Sequence, residues 1–439
     1  MPRFASFQSM LESVDPSRVC LEYASSGGKS ILTYGQVLEQ IRNYPLPSEH
    51  SVGVFATTTP ASIVALLALI GKRRVVLLNP EDNEGALALQ IASAHVDRLL
   101  GDDDELIASL TPHLYHGKHD EDNDVLFFTS GTTSKAKAVQ LTESSLCSAA
   151  FNGGSLLPLS PEDSMLCCLP LSHVFGFVCS FLWPLSFGAK ICLGRGLRSI
   201  FFDFDFYRPT VASLVPQMAG FLAAKRLFNP ELKLILIGAG DCPDAILSLI
   251  KSLGIRVSFG YGLTESSSGI ALSLGDDPRA MTICPDYEVH LADDGEILVK
   301  SETTLMKGYY LDPEHTRATL KDGYLHTGDL GKIVDGKLFI TGRKKEILVF
   351  NDGSKLFLPE FEQELATRLG PESDFALVQR KDGTVALYIY RPVNVESIVD
   401  EWNKGLSLSH RVNKIVYAPS PLPRTKTNKV QRYLIPTIE

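Results

Sequence analysis

The stretch SVGVFATTTPASIVALLALIGKRRVVLLN, residues 51–79, indicates the architecture of this chain. Two short apolar runs rich in valine and leucine flank a longer apolar run that begins at Pro60 and stops at Gly71. This pattern predicts a strand, a helix and a second strand, since strands buried on both faces have continuous apolar sequences. LKLILIG, DAILSLIKSLG and RVSFGYG, within residues 232–262, repeat it. An α/β fold with mainly buried sheets is therefore expected.

Farther along the chain, the pattern changes to short strands. From about Tyr287, apolar stretches alternate with Asp-Gly turns that are typical of hairpins. The turns are Asp294-Gly295, Asp322-Gly323 and Asp335-Gly336. A helical pattern, PEFEQELATRL, and two strand patterns, FALVQ and VALYIY, come later. We expect a large N-terminal domain (1–342) with stacked α/β sheets and a small β subdomain, a hinge (343–345) and a small mobile α+β C-terminal domain (346–439).

Composition and charge restrict the class of protein. The 439 residues carry a net charge of −9, which argues against a surface that binds nucleic acid or anionic membranes electrostatically. The eight cysteines form no C-x-x-C pair and lie mostly in apolar runs, as reduced core residues do. No apolar run reaches the roughly 20 residues of a membrane span, and the N-terminus lacks a signal-peptide core. A soluble cytoplasmic protein is expected.

The segment FFTSGTTSKAKAV, residues 127–139, predicts a phosphate-binding loop. Hydroxyl groups and backbone N–H groups gathered at a turn after a strand form an anion nest, and a lysine adds a compact positive charge. The residues concerned are Thr129, Ser130, Gly131, Thr132, Thr133 and Lys137. The segment is not a G-x-x-x-x-G-K-[ST] loop, because it has no second glycine before a Lys-Ser or Lys-Thr pair.

Four further motifs follow in a characteristic order. They are YGLTE (261–265), HTGDL (326–330), GRKKEILVFNDG (342–353) and LPRTKTNKVQR (422–432). Together with the loop and with LPLSHVFGF (169–177), they resemble the adenylate-forming superfamily of acyl-CoA synthetases, luciferases and peptide-synthetase adenylation domains. The chain is most similar to fatty or aromatic acyl-CoA ligases. One such motif is weak, whereas five in order make chance agreement very unlikely.

The resemblance implies a two-step reaction that uses ATP and Mg²⁺. A carboxylate attacks the α-phosphorus of ATP, giving an acyl-adenylate and pyrophosphate, and a thiol then takes the acyl group. The thiol belongs to CoA or to the phosphopantetheine of an acyl carrier protein. Both steps move negative charge, so cations and fixed dipoles should dominate catalysis.

The resemblance also assigns residues to the nucleotide. The loop from Thr129 to Lys137 would hold the β- and γ-phosphates. Tyr261 would stack on adenine, which Gly240 would line. The remaining assignments are Thr264 to the α-phosphate, Glu265 to Mg²⁺, Asp329 to the ribose, Arg343 to ribose or phosphate, and Lys429 to the attacking carboxylate and the α-phosphate. Lys345 matches the position about which family members rotate the small domain.

The acid is expected to be fatty or aromatic, with His173, Phe175 and Phe177 lining its pocket. An amino-acid-activating enzyme stays open, because FFDFDFYRP supplies Asp203 and Asp205 for an ammonium group, although its alternation predicts a half-buried strand. A non-catalytic nucleotide-binding relative also stays open. Ser134, Ala136 and Ala138 replace the usual residues of the phosphate loop, and Asn428 replaces a glycine beside Lys429.

Two other patterns are rejected. GAGD (238–241) lacks the third glycine of a dinucleotide fingerprint, since Pro243 stands at that position. His113, His116 and His119 have metal-like spacing but lie in an acidic stretch that reads as a solvated linker.

Overall fold

The structure, a computed structural model, describes residues 2–120, 122–129, 137–196, 199–240, 242–350, 355–370, 373–380, 382–390, 395–424 and 430–435. The first elements of the chain are α1 (Phe7–Glu12), β1 (Val19–Ser25), β2 (Gly28–Thr33), α2 (Tyr34–Arg42), β3 (Ser51–Phe55), α3 (Pro60–Leu69), β4 (Arg74–Leu78), α4 (Glu84–Ser93), β5 (Arg98–Leu100), α5 (Asp104–Leu110), β6 (Val125–Thr129) and β7 (Lys137–Leu141).

The middle of the chain continues the alternation of helices and strands. Its elements are α6 (Glu143–Leu156), β8 (Ser164–Cys167), a π-helix (Gly176–Leu182), α7 (Trp183–Leu185), β9 (Lys190–Leu193), α8 (Ile200–Tyr207), β10 (Val211–Leu214), α9 (Pro216–Ala224), β11 (Leu234–Ile237), α10 (Asp244–Ser252), β12 (Arg256–Leu263) and β13 (Ser268–Ser273).

The last part of the chain consists mostly of short strands and hairpins. Its elements are β14 (Met281–Ile283), β15 (Glu288–Leu291), β16 (Glu296–Lys300), β17 (Gly308–Tyr309), α11 (Pro313–Thr319), β18 (Leu320–Lys321), β19 (Tyr324–Val334), β20 (Lys337–Arg343), β21 (Ile347–Val349), β22 (Lys355–Phe357), α12 (Leu358–Leu369), β23 (Asp374–Gln379), β24 (Val385–Tyr390), α13 (Val395–Lys404) and β25 (Val412–Tyr417).

Two sheets organise the large domain. The first has the strand order β17-β7-β6-β4-β3-β5, in which β3, β4, β5 and β6 are parallel. The second runs β2-β1-β9-β8-β10-β11-β12 and continues through β13 into the antiparallel order β14-β20-β19-β16-β15. Strand β3 pairs in parallel with β4, and β11 pairs in parallel with β12. The predicted α/β fold is confirmed.

The Asp-Gly turns close hairpins as predicted. Asp322-Gly323 joins β18 to β19, and Asp335-Gly336 joins β19 to β20. Both residues of each turn have positive φ, which is the type I′ geometry that suits the right-handed twist of paired strands. The long strand β19 carries HTGDL between these turns, so the hairpins set the register of that motif.

One prediction about local structure was wrong. FFDFDFY was expected to form a half-buried strand, but it forms helix α8. The buried residues are Ile200, Asp203, Phe204 and Tyr207, whose spacing is helical. The carboxylate of Asp203 is fully buried and accepts hydrogen bonds from Arg195, at 2.9 Å from the backbone N and 2.6 Å from Nε. This tertiary pairing makes an inward aspartate tolerable, and the alternating pattern did not reveal it.

The residues beyond position 346 have hydrophobic clusters of their own. The larger cluster joins α12, the sheet β23-β24-β25 and α13, with Leu365, Leu387 and Trp402 at its centre. The helix and strands predicted for this part of the chain are confirmed. The domain boundary and the hinge at residues 343–345 stay predictions.

Candidate active site

The predicted phosphate loop connects two antiparallel strands. Thr129 ends β6 and Lys137 begins β7, and the two residues are paired directly across the hairpin. Residues 130–136 lie outside the described residues, and with them Ser130, Gly131, Thr132 and Thr133. Helix α6 begins only after β7, with Thr142 as its N-cap. The pairing places the Lys137 backbone beside that of Thr129.

A tyrosine joins Lys137 to the predicted Mg²⁺ ligand. The Lys137 ammonium lies 4.7 Å from the centre of the Tyr309 ring, and the Tyr309 hydroxyl donates a 2.8 Å hydrogen bond to Oε1 of Glu265. Thr264 and Glu265 form a single 3₁₀ turn directly after β12. The fold therefore brings the predicted phosphate lysine to the ring face of Tyr309 and the predicted Mg²⁺ ligand to its hydroxyl.

The predicted ribose residue forms a second cluster with Tyr261 and Arg343. Asp329, 3% exposed, accepts a 3.0 Å hydrogen bond from the Tyr261 hydroxyl and pairs with Nε of Arg343 at 2.9 Å. Asp329 and Arg343 are opposite each other in the β19–β20 hairpin, which explains their contact. Burial, followed by the charge of Asp329, raises the pKa of Tyr261. Its hydroxyl therefore remains a proton donor at physiological pH.

The two clusters are connected by the YGLTE segment. Tyr261 lies on β12 and Glu265 follows four positions later, so the segment links the Asp329 cluster to the Tyr309 cluster. Gly262 makes the segment possible, because a Cβ at this position would lie 1.8 Å from the carbonyl oxygen of Ser268. A larger residue would push β13 away from β12. The glycine thus keeps the two clusters on adjoining strands.

The predicted acid-binding segment divides into exposed and buried parts. His173 is exposed, and Phe175 is partly buried with its ring where a side chain at Gly238 would lie, 2.8 Å from that Cβ position. Phe177 is fully buried among the rings of Phe7, Phe127 and Phe181. It belongs to the core behind the segment, which leaves no face of its ring for an acid.

A small apolar cavity lies beside the strand that follows Glu265. Its volume is about 30 Å³. Its walls come from α6, the π-helix and β13, and small residues are frequent among them: Ala149, Ala150, Gly153, Cys179, Ser268 and Gly269. The cavity is apolar and close to the candidate site along the chain. The small residues leave room that larger side chains would fill.

The remaining adenine and hinge residues have the following positions. Gly240 follows β11, and the Cβ of a larger residue there would lie 3.7 Å from the ring of Pro216. Lys345 is the central residue of a 3₁₀ turn, Lys344–Glu346. Lys429 lies outside the described residues. Its predicted role therefore stays a prediction.

Lys344, in the predicted hinge, pairs with strand β16 and the turn that precedes it. Its ammonium lies 2.8 Å from Oε2 of Glu296 and 2.7 Å from Oδ2 of Asp294. Burial raises the pKa of Glu296, but hydrogen bonds from Lys344, the Gly328 N–H and His326 outweigh it and leave the pKa below its ordinary value. The residue immediately before Lys345 is thus held to the β15–β16 hairpin.

No sequence pattern indicated that Tyr309 belongs to the candidate site. The GYY segment is a short strand without an unusual pattern, and its contact with Glu265 spans 44 residues of sequence. The contact of Arg195 with Asp203 was also missed, because the alternating pattern predicted a strand where the chain forms helix α8. Asp203 is therefore not open to a substrate ammonium, and Asp205 is exposed on α8.

The described part of the chain contains neither a cluster of metal-binding side chains nor a helix that could span a membrane. No group of three or more histidine, cysteine or acidic residues there could hold a metal ion. His119 instead pairs with Asp97 at 2.8 Å. No described helix is long and apolar enough to cross a membrane.

Comparisons with known proteins identify the class. Residues 102–310 match the AMP-binding enzyme family. The chain is 28% identical over 357 residues to a long-chain-fatty-acid–CoA ligase of Mycobacterium tuberculosis, covering 72% of this chain and 67% of that protein. It is 30% identical over 358 residues to a 4-coumarate–CoA ligase of Oryza sativa subsp. japonica, and this match covers 72% of this chain and 63% of that protein. The chain is thus similar to AMP-binding enzymes, as its motifs predicted.

Solved structures agree on the fold. O-succinylbenzoate coenzyme A synthetase from Bacillus subtilis, in complex with AMP, has a TM-score of 0.82 at 21% identity and covers 99% of this chain and 98% of its own. An anthranilate CoA ligase in complex with anthranoyl-AMP has a TM-score of 0.80 at 18% identity, and the match covers 99% of this chain and 97% of that protein. The chain thus shares the fold of these two enzymes.

Proposed function

We propose that this protein is an acid–thiol ligase that activates a carboxylic acid with ATP. One observation carries the proposal: two clusters of predicted site residues lie at the two ends of the YGLTE segment. In one, Lys137 and Glu265 both contact Tyr309. In the other, Asp329 contacts Tyr261 and Arg343. Together the two clusters supply positive charge for phosphates, a carboxylate for a metal and a buried carboxylate for hydroxyl groups. These are the groups that adenylation of an acid requires.

In the first step, a carboxylate oxygen of the acid bonds to the α-phosphorus of ATP, and the bond from that phosphorus to the bridging oxygen breaks to release pyrophosphate. Lys137 would hold the terminal phosphates, Thr264 the α-phosphate, and Lys429 the charge that gathers as the carboxylate attacks. Asp329 would accept hydrogen bonds from the ribose hydroxyls, and Arg343 would hold it in place. These groups position the two substrates and stabilise the charge that develops between them, since phosphoryl transfer requires little covalent chemistry from the protein.

The residues present fit a magnesium ion. Mg²⁺ is commonly bound by one or two carboxylates together with substrate phosphates and water, so it needs no preformed cluster of protein ligands. Glu265 is a carboxylate beside the phosphate lysine, which matches this arrangement. Magnesium bound there would neutralise charge on the phosphates of ATP.

In the second step, the sulfur of a thiol bonds to the acyl carbon while the bond from that carbon to the phosphate oxygen breaks, releasing AMP. The thiol proton leaves to solvent. CoA is the favoured acceptor, because the curated relatives are CoA ligases, and the phosphopantetheine of an acyl carrier protein is the alternative. The ion pairs of Lys344 support rotation about Lys345 between the steps, because they hold the preceding residue to the β15–β16 hairpin.

The acid is proposed to be fatty or aromatic. The apolar cavity with its small wall residues favours an apolar acyl group. An amino-acid substrate is disfavoured, because Asp203 is fully buried and paired with Arg195. At about 30 Å³ the cavity must enlarge for any fatty or aromatic acid, so its size does not select among them, and short, ring-shaped and long acids should all be tested.

A pyrophosphate-release screen tests the proposal. A library of fatty, aromatic and amino acids would be assayed with ATP and Mg²⁺, with and without CoA, and the acyl-CoA product identified by mass spectrometry. We expect release that depends on one class of acid and a thioester only when CoA is present. Binding of ATP without release for any acid would indicate a non-catalytic relative, and release with amino acids alone would overturn the proposed acid class.

A further inference from the structure

Tyr309 contacts both residues that the proposed function places at the phosphates and the metal. Its hydroxyl donates to Oε1 of Glu265 at 2.8 Å, while its ring face lies 4.7 Å from the Lys137 ammonium. The two contacts use different parts of one side chain. They can therefore be removed separately, the first by loss of the hydroxyl and the second only by loss of the ring.

The position of Tyr309 is determined by backbone contacts that do not depend on Glu265. Tyr309 pairs with Val139 across β17 and β7, and its N–H donates a 2.9 Å hydrogen bond to the side chain of Thr316. The preceding residue is a glycine, and a Cβ there would lie 2.8 Å from the Thr316 side chain. Strand β17 is thus packed closely between β7 and α11, and this packing fixes the position of Tyr309 beside Lys137.

The hydroxyl of Tyr309 donates to a carboxylate in a buried position. The residue is only 6% exposed, and its oxygen lies 2.8 Å from Oε1 of Glu265. A protonated hydroxyl next to a carboxylate gives a charge-assisted hydrogen bond, which fixes the orientation of the carboxylate as well as its position. Groups that orient a metal ligand in this way commonly contribute to metal affinity.

We propose that Tyr309 is a positioning residue for adenylation: its hydroxyl orients the Glu265 carboxylate for magnesium, and its ring holds the Lys137 ammonium for the terminal phosphates of ATP. This inference rests on the proposed function and adds a residue to it. Tyr309 itself takes no part in bond making or breaking.

The test measures nucleotide binding without turnover. The affinity of a non-hydrolysable ATP analogue with a methylene group between the α- and β-phosphorus atoms would be determined by calorimetry, once with Mg²⁺ and once with EDTA. The ratio of the two affinities is the gain due to magnesium. Tyr309→Phe keeps the ring and should lower this gain about tenfold, with little change in EDTA. Tyr309→Leu removes the ring as well and should weaken binding in EDTA too.

Tyr310→Phe is the matched control. It removes the same atom from the next residue, whose hydroxyl accepts a hydrogen bond from Arg74 at 3.0 Å and does not contact Glu265. It should keep the magnesium gain of the wild type. An unchanged gain in Tyr309→Phe, or an equal loss in Tyr310→Phe, would overturn the inference, the latter because the packing of this segment would then explain the effect.

A second variant tests the same contact without altering this segment. Glu265→Asp keeps the negative charge but withdraws it from the Tyr309 hydroxyl by one methylene group. It should also lower the magnesium gain, and an unchanged gain would contradict the inference even if Tyr309→Phe failed to fold. Wild-type protein that binds the analogue equally with Mg²⁺ and with EDTA would overturn the proposed function itself, and this inference with it.

Discussion

Asp329→Ala should reduce both the stability of the large domain and its affinity for ATP. The carboxylate is buried and accepts a hydrogen bond from the buried hydroxyl of Tyr261. A hydrogen bond to a charged group contributes about 1.5–3 kcal/mol. The ion pair with Arg343, whose side chain is 48% exposed, adds about 0–1 kcal/mol because water screens it. The expected loss in the free energy of unfolding is therefore about 1.5–4 kcal/mol.

The assay can follow the large domain alone. The chain has two tryptophans, Trp183 in the large domain and Trp402 beyond the hinge. In a Trp402→Phe background, the fluorescence of Trp183 during urea unfolding reports the large domain. ATP affinity would be measured by calorimetry in the same background, and Asp329→Ala should lower it at least about tenfold, which corresponds to one lost hydrogen bond to the ribose.

Tyr261→Phe is the second variant of this experiment and tests the hydrogen bond between Tyr261 and Asp329. It removes the hydroxyl but keeps the ring, so it should cost about 1.5–3 kcal/mol of stability and less ATP affinity than Asp329→Ala. The double variant should lose less than the sum of the single losses, by about 1–2 kcal/mol, because both substitutions remove the same bond. Strictly additive losses would refute the buried pair, and unchanged ATP affinity in Asp329→Ala would make Asp329 a turn residue only.

Three further predictions concern the hinge and the end of the chain. Lys429→Ala should abolish most acid-dependent pyrophosphate release while the melting temperature stays unchanged; full release would remove Lys429 from the site. Lys345→Pro should slow thioester formation far more than single-turnover adenylation, because proline fixes φ near −65° at the pivot, and equal slowing of both steps would place the hinge elsewhere. The pKa of Glu296 is lower in the folded protein than its ordinary value of 4.5. Its ion pair with Lys344 therefore stabilises the fold fully at pH values above 4.5, and this contribution is lost as the pH falls through the lower pKa of the folded state. The stability difference between wild type and Glu296→Gln in urea titrations should accordingly shrink below about pH 4.5, and a difference that is constant with pH would contradict the ion pair.

Local chemistry alone determined much of this protein. The strand, helix and strand over residues 51–79 follow from apolar runs of the right length, and the Asp-Gly hairpins follow from two residues that tolerate positive φ. The order of the motifs indicated the class of enzyme before any contact was known. These features depend on neighbours within a few positions, which a sequence pattern records directly.

Only the tertiary structure decided which side chains meet. The contact of Tyr309 with Glu265 spans 44 residues, and that of Tyr261 with Asp329 spans 68. Phe177 was expected in the acid pocket, but the packing of α1 and β6 against the π-helix buries it. Each of these outcomes depends on how distant strands and helices pair and pack. Sequence periodicity records which face of an element is buried, but it carries no information about which residue lies opposite.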